Sequence, residues 1–191
     1  HGRDIIGYID LAATRDGKVL GMKLRLVADI GAYNMLLTAA IPTLTMMMAN
    51  ATYDIPAIRA TLTEVFTNKT PTDAYRGAGR PEATYFVERG MDILATELGM
   101  DPAEVRRKNF IQPDQFPYAT QMGAVYDSGD YEKALDLGLK NADWEAMKQE
   151  RDAARAEGRL VGMGLAMYVE VCGLGPSSSL PTGGWEHSLD K

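Results

Sequence analysis

The chain has 191 residues, of which 46% are apolar and 24% charged, and it carries a formal net charge of -6. That describes one ordinary globular domain or two small ones, and it excludes both a collagenous chain and a disordered tail. With no basic run beyond Arg106-Arg107-Lys108, nothing marks a nucleic-acid or anionic-membrane partner.

Residues 5–14 are apolar and β-branched, Arg15-Asp16-Gly17-Lys18 makes a turn, and residues 19–30 resume in alternation, which predicts a β-hairpin. In its second arm Leu20, Met22, Leu24, Leu26, Ala28 and Ile30 are expected on a buried face, with Lys23, Arg25 and Asp29 on the other. Residues 34–49 lack a clean period and contain Pro42, so they read as a short helix or a buried loop. The apolar run from 35 to 48 is broken by Thr38, Pro42, Thr43 and Thr45 and is too short to span a bilayer. Residues 58–66 alternate, with Ile58, Ala60, Leu62 and Phe66 expected on one side of a strand. A glycine-containing loop over 68–80 follows, and Pro81 suits the first turn of a helix.

That helix is marked by Ala83, Phe86, Val87, Gly90, Met91, Leu94 and Leu98, and Gly99 ends it. Asp101-Pro102-Ala103-Glu104 reads as an N-cap, a proline at N1 and a glutamate at N3, opening a second short helix through Arg107. Two further helices are expected over 130–142 and 144–157, the latter highly charged and exposed. Val161, Met163, Leu165, Met167, Val169 and Val171 then occupy every second position, which predicts a strand over 160–172. The fold class that follows is α+β, a mixed sheet with helices packed on it.

The chemistry has few carriers. Two histidines, His1 and His187, and the single Cys172 do not make a metal-ligand cluster, so no protein-ligated metal is expected. One cysteine and the absence of a signal peptide at the start of the sequence point to a reducing cytoplasm. Neither a Gly-x-Ser-x-Gly elbow nor a phosphate-binding Gly-x-x-x-x-Gly-Lys loop occurs. What remains is 74–80, where Gly77 and Gly79 leave backbone N–H groups unshielded between Arg76 and Arg80, directly before a helix. Such a loop suits an anionic or oxo-rich group. By spacing alone it suits still better a tight strand-to-helix turn whose arginines form surface pairs, because glycine pairs are common before helices.

Ala74-Tyr75-Arg76-Gly77-Ala78-Gly79-Arg80, introduced by Thr67-Asn68-Lys69-Thr70-Pro71, closely resembles the active-site loop of the molybdenum-binding large subunit in the xanthine dehydrogenase and aerobic carbon monoxide dehydrogenase family. Tyr53-Asp54-Ile55-Pro56, Arg80-Pro81-Glu82-Ala83, the stretch from Gly99 to Phe110 and Tyr168-Val169-Glu170-Val171 are also similar to that family. The resemblance implies part of a larger molybdopterin-binding subunit, with residues 1–158 in a first cofactor-binding region and 159–191 opening a second. It implies hydroxylation of an aldehyde or N-heterocycle with water as the oxygen source. The cofactor implied is molybdenum-pterin in its cytosine dinucleotide form. Electrons would pass to an iron-sulfur small subunit with [2Fe-2S] clusters and an FAD-binding medium subunit, in a dimer of heterotrimers.

Carried over by motif, Tyr75, Arg76, Gly77 and Ala78 approach the molybdenum oxo ligand, and Arg76 is the catalytic candidate that stabilises charge developing on oxygen. The resemblance also implies that Leu44, Tyr75 and Ala78 line the substrate pocket. Ala78 replaces a bulky aromatic and Leu44 an arginine of purine-oxidising relatives, so xanthine is not the expected substrate. Gly77 stands where the copper-binding branch has a cysteine, which leaves no soft ligand for Cu(I). Trp185, with Glu186, is expected near the pterin, whereas Glu170 is expected to be structural because the family's base glutamate lies in a later segment. The alternatives are carbon monoxide dehydrogenase, and a non-catalytic binding or assembly domain that retains the fold.

Overall fold

A computed structural model of the chain describes residues 3–170. Strand β1 (Ile5–Ala13) pairs antiparallel with β2 (Val19–Gly31), and β2 pairs parallel with β3 (Ile58–Phe66), giving the order β1-β2-β3 in a mixed sheet. The parallel pair requires a crossover, and helix α1 (Ala40–Met47) lies within it. Helix α2 (Arg80–Leu98) packs along the inner face of the sheet, where Gly7 admits the Phe86 ring and Gly90 admits Ile9 and Leu11. The core between them holds Leu24, Leu26, Val87, Met91 and Ala95. Burying each of its leucines fully stabilises the fold by about 1.5–3 kcal/mol.

The helix boundaries obey local chemistry. Gly99 ends α2 in the left-handed region at φ +63, and Asp101 caps α3 (Pro102–Arg107) by accepting the Ala103 amide at 2.7 Å. Asn109, fully buried, ties this helix to the hairpin: its Oδ1 accepts the Val19 amide at 2.8 Å, and its Nδ2 donates to the carbonyls of Gly17 and Val105. A small hairpin, β4 (Tyr118–Ala119) and β5 (Val125–Tyr126), precedes helices α4 (Tyr131–Asn141) and α5 (Trp144–Ala156). Most of α5 is exposed, as its charge pattern predicts, and Ala154 is its buried contact.

Three expectations are corrected. Leu20 is 52% exposed rather than on the buried face, because the pairing shifts between Ala12 and Ala13 and the bulge turns Val19 inward instead. Phe66 is 65% exposed, since a second irregularity between Asp29 and Gly31 ends the alternation of β3. Residues 160–170 alternate between half-buried and exposed as an extended strand would, yet no ladder pairs them among the described residues. Positions 171 and 172 of that expected strand lie outside the described residues.

Candidate functional site

In an open sheet with parallel strands, ligands collect at the carboxyl ends of those strands, where the connecting loops spread. Here the ends of β2 and β3 lie side by side and release 32–39 and 67–79. Their junction is tied by backbone bonds from Ala32 N–H to the Lys69 carbonyl and from Thr67 N–H to the Gly31 carbonyl. Gly31, at φ +75, is needed at this position because a Cβ there would collide with the Pro71 backbone. Asp29 organises the same corner: its carboxylate accepts from the Gly31 amide, the Thr67 hydroxyl and Lys69 Nζ. Lys69, then Thr67 and the Gly31 amide, pull the Asp29 carboxyl down to about 2.

At the other end of the loop, Gly79 serves as N-cap of α2 at φ +98. A Cβ on it would collide with the Ile41 carbonyl oxygen and stand 2.9 Å from the Thr45 amide, so the loop lies directly against α1. Thr45, completely buried, shares its hydroxyl between the Ile41 and Gly79 carbonyls at 3.2 and 3.0 Å. The sequence contains Thr45 only as a break in an apolar run. Its one local signal is a hydroxyl inside a helix, a residue type that reaches for a carbonyl four positions back.

Between these anchors the chain makes two tight turns, Ala78 N–H to the Tyr75 carbonyl at 2.8 Å and Arg80 N–H to the Gly77 carbonyl at 3.0 Å. Gly77, Ala78 and Gly79 take φ values of +92, +40 and +98 in succession. A Cβ at Gly77 would stand 2.6 Å from the Pro81 ring. The amides of Arg76, Gly77 and Gly79 donate to no group among the described residues. Tyr75 is 77% exposed and Arg76 is exposed beside it. Glycine-rich turns of this kind ahead of a helix present donors and positive potential to an anion.

Of the residues singled out in the sequence, Tyr75, Arg76, Gly77 and Ala78 form one continuous surface element. Leu44 is half-buried on α1, the helix that touches this loop, although Thr45 and Ile41 make the contact with Gly79. Glu170 lies on an exposed edge and lines a cleft of 390 Å³ with Arg80, Pro81, Thr84, Tyr85, Tyr168 and Val169. Trp185 and Glu186 lie outside the described residues. Among the described residues no three His, Cys, Asp or Glu side chains gather as a metal-ligand set, and no helix is long and apolar enough to cross a membrane.

Residues 1–110, more than half of the chain, match the molybdopterin cofactor-binding domain family. The chain belongs to that family. It is 45% identical over 174 residues to the carbon monoxide dehydrogenase large chain of Hydrogenophaga pseudoflava, an alignment covering 88% of this chain and 22% of the relative. It is 35% identical over 193 residues to the gamma subunit of the 6-hydroxypseudooxynicotine dehydrogenase complex of Paenarthrobacter nicotinovorans, covering 98% and 24%. Among solved structures, quinoline 2-oxidoreductase from Pseudomonas putida 86 superposes with a TM-score of 0.85 at 31% identity over 91% of this chain and 22% of that one. Carbon monoxide dehydrogenase from Oligotropha carboxidovorans gives 0.83 at 34% identity over 92% and 23%. This member of the family therefore spans under a quarter of the length of those relatives, and its α+β fold with a mixed sheet recurs as one part of larger proteins.

Proposed function

We propose that the chain is the loop-bearing part of a molybdenum hydroxylase large subunit acting on an aldehyde or an N-heterocycle. The observation that carries the reading is the 75–79 loop, whose open amides, consecutive positive φ values and exposed arginine fit an oxo-rich anionic group. Tyr75, Arg76, Gly77 and Ala78 would hold the cofactor's metal end, and Trp185 its pterin. When bound, a molybdenum-pterin cofactor in its cytosine dinucleotide form supplies the oxidation itself: a C–H becomes C–OH, water provides the oxygen, and two electrons and two protons leave.

The chain's own residues prepare that event. Gly77 and Ala78 keep the approach open because neither carries bulk beyond a methyl group. Arg76, through its guanidinium or its N–H, aims positive charge at the oxygen on which negative charge grows. Leu44, Tyr75 and Ala78 form the apolar side of the substrate pocket, without an arginine to grip a purine. The electrons leave through a small subunit with [2Fe-2S] clusters and an FAD-binding medium subunit, in a dimer of heterotrimers in the cytoplasm. A boundary after residue 158 separates the first cofactor-binding region from the second. Gly158, at φ +80 just beyond α5, supports that division.

Carbon monoxide oxidation is the second reading, favoured by the identity with the Hydrogenophaga pseudoflava large chain. Gly77 weighs against it, because no thiolate stands in the loop to bind Cu(I). Metal and pterin analysis of the full-length protein purified with its partners tests both readings. Stoichiometric molybdenum and pterin without copper is the expected result. Absence of molybdenum and pterin overturns the hydroxylase reading in favour of a non-catalytic domain, and stoichiometric copper with steady carbon monoxide oxidation overturns the substrate assignment.

A further inference from the structure

Residues 160–170 alternate between half-buried and exposed, no ladder pairs them among the described residues, and their backbone N–H and C=O groups must be satisfied somewhere. Two of them end on buried charges. The Met167 amide donates to Glu88 Oε2 at 2.9 Å, and the Leu165 carbonyl accepts from Arg106 Nη2 at 2.9 Å. Glu88 lies on α2 and Arg106 on α3; the Arg106 side chain is completely buried and the Glu88 side chain only 6% exposed. They bind each other through Nε and Oε2 at 2.8 Å. The network is saturated around that bond: Tyr53 Oη donates to Glu88 Oε1 at 2.5 Å, and Arg106 also reaches Asp92 and the Pro102 carbonyl.

A buried ion pair is weak evidence for stability, because well-packed apolar side chains of the same volume often serve a core as well. What apolar side chains could not do here is satisfy both the Met167 N–H and the Leu165 C=O, which no ladder takes up among the described residues. The consequence is geometric. Leu165 and Met167 are held against the main core and Val169 against a second cluster, while Tyr168 and Glu170 are left on the outer side. Tyr168, Val169 and Glu170 then form the wall that faces the first turns of α2 across the 390 Å³ cleft. The cleft adjoins the loop, since Arg80, which lines it, donates from Nη1 to the Gly77 carbonyl at 3.1 Å. Its volume falls within the range of small-molecule sites.

We infer that Glu88 and Arg106 are positioning residues that hold 165–170 by its backbone and so set the wall of the cleft beside the loop, where the part of the substrate remote from the reacting carbon lies. The anchoring rests on the geometry alone, and the use of the cleft rests on the hydroxylase reading.

The test is amide hydrogen exchange and steady-state kinetics on the full-length protein with its partners, comparing wild type with Glu88→Leu, Glu88→Gln and Tyr53→Phe. Glu88→Leu should speed exchange at Met167 by roughly 10- to 100-fold, the loss of one hydrogen bond to a charged acceptor, while α2 amides beyond residue 92 change little. Glu88→Gln, which keeps an oxygen for the Met167 amide, should restore most of the protection. Tyr53→Phe, which touches only Oε1, should leave it intact. In the loosened variant KM should rise by roughly tenfold with kcat nearly unchanged.

Unaltered protection at Met167 in Glu88→Leu overturns the anchoring, as does a uniform rise across α2, α3 and 165–170. Should Glu88→Leu fail to fold, Glu88→Gln against Arg106→Met decides, because only the latter frees the Leu165 carbonyl and is expected to loosen the segment; equal protection in both overturns the inference. Loss of protection with KM unchanged overturns the role of the cleft. A protein without molybdenum defeats the hydroxylase reading, and the exchange data still decide the anchoring.

Discussion

Gly79→Ala is the substitution whose effect can be worked out most fully, because two separable penalties meet at one atom. Gly79 sits at φ +98, and forcing a non-glycine residue into the left-handed region costs about 1–2 kcal/mol. Its new Cβ would also collide with the Ile41 carbonyl and crowd the Thr45 amide, both backbone atoms of α1 that cannot rotate away. Overpacking of that kind adds about 1–3 kcal/mol. Gly99 provides the control: it too has a positive φ, +63, but nothing lies within 4 Å of an added Cβ, so Gly99→Ala carries only the first penalty. The expected difference of about 2 kcal/mol corresponds to a roughly 30-fold larger opening constant at the loop. Amide exchange at Ala83, which donates to the Gly79 carbonyl, reads that opening directly in the full-length protein. Equal exchange at Ala83 in Gly79→Ala and Gly99→Ala would refute the close seating of the loop on α1.

Asn109→Ala should weaken the junction between hairpin and α3 by about 2–4 kcal/mol, because it strands the buried Val19 N–H and the Gly17 carbonyl together; unchanged exchange at Val19 would sink the argument. Asp29 predicts a pH dependence. Its folded pKa of about 2 lies below the unfolded carboxylate value, so the stabilisation it provides is present above about pH 4 and is lost as pH falls towards 2. Acid titration of amide exchange at Gly31 and Thr67 should show that window, and Asp29→Asn should abolish it; an identical titration in the variant would refute it. Arg76→Ala in the assembled enzyme should lower turnover by roughly a hundredfold with little change in stability, the scale of losing one transition-state donor. Activity retained in Arg76→Ala but blocked in Gly77→Val would move the role to the backbone, and full activity in both would leave the loop without a catalytic role.

Local chemistry in the sequence determined much of this protein. The hairpin, the Asp101 cap, the Gly99 terminus and the helical face of Ala83, Val87 and Met91 were all legible, because each depends on residues within a turn or two of one another. The loop at 75–79 was legible for the same reason, as glycines, arginine and a following proline are neighbours in the chain. Tertiary structure decided the rest. Leu20 and Phe66 left the faces that alternation assigned them because each bulge is set by how two strands meet. Arg106 belongs to the chain's one basic run, yet it is completely buried while its neighbour Arg107 reaches Glu132 and Asp136 on α4. Nothing within the run distinguishes the two; the difference arises from Glu88, eighteen positions away, and from the Leu165 carbonyl, fifty-nine away. Thr45 likewise becomes part of the loop's seat only because the crossover brings α1 beneath Gly79, thirty-four residues later. A buried charge needs a partner, and backbone N–H and C=O groups need acceptors and donors; which distant residues supply them is a property of the packed chain, not of any window of its sequence.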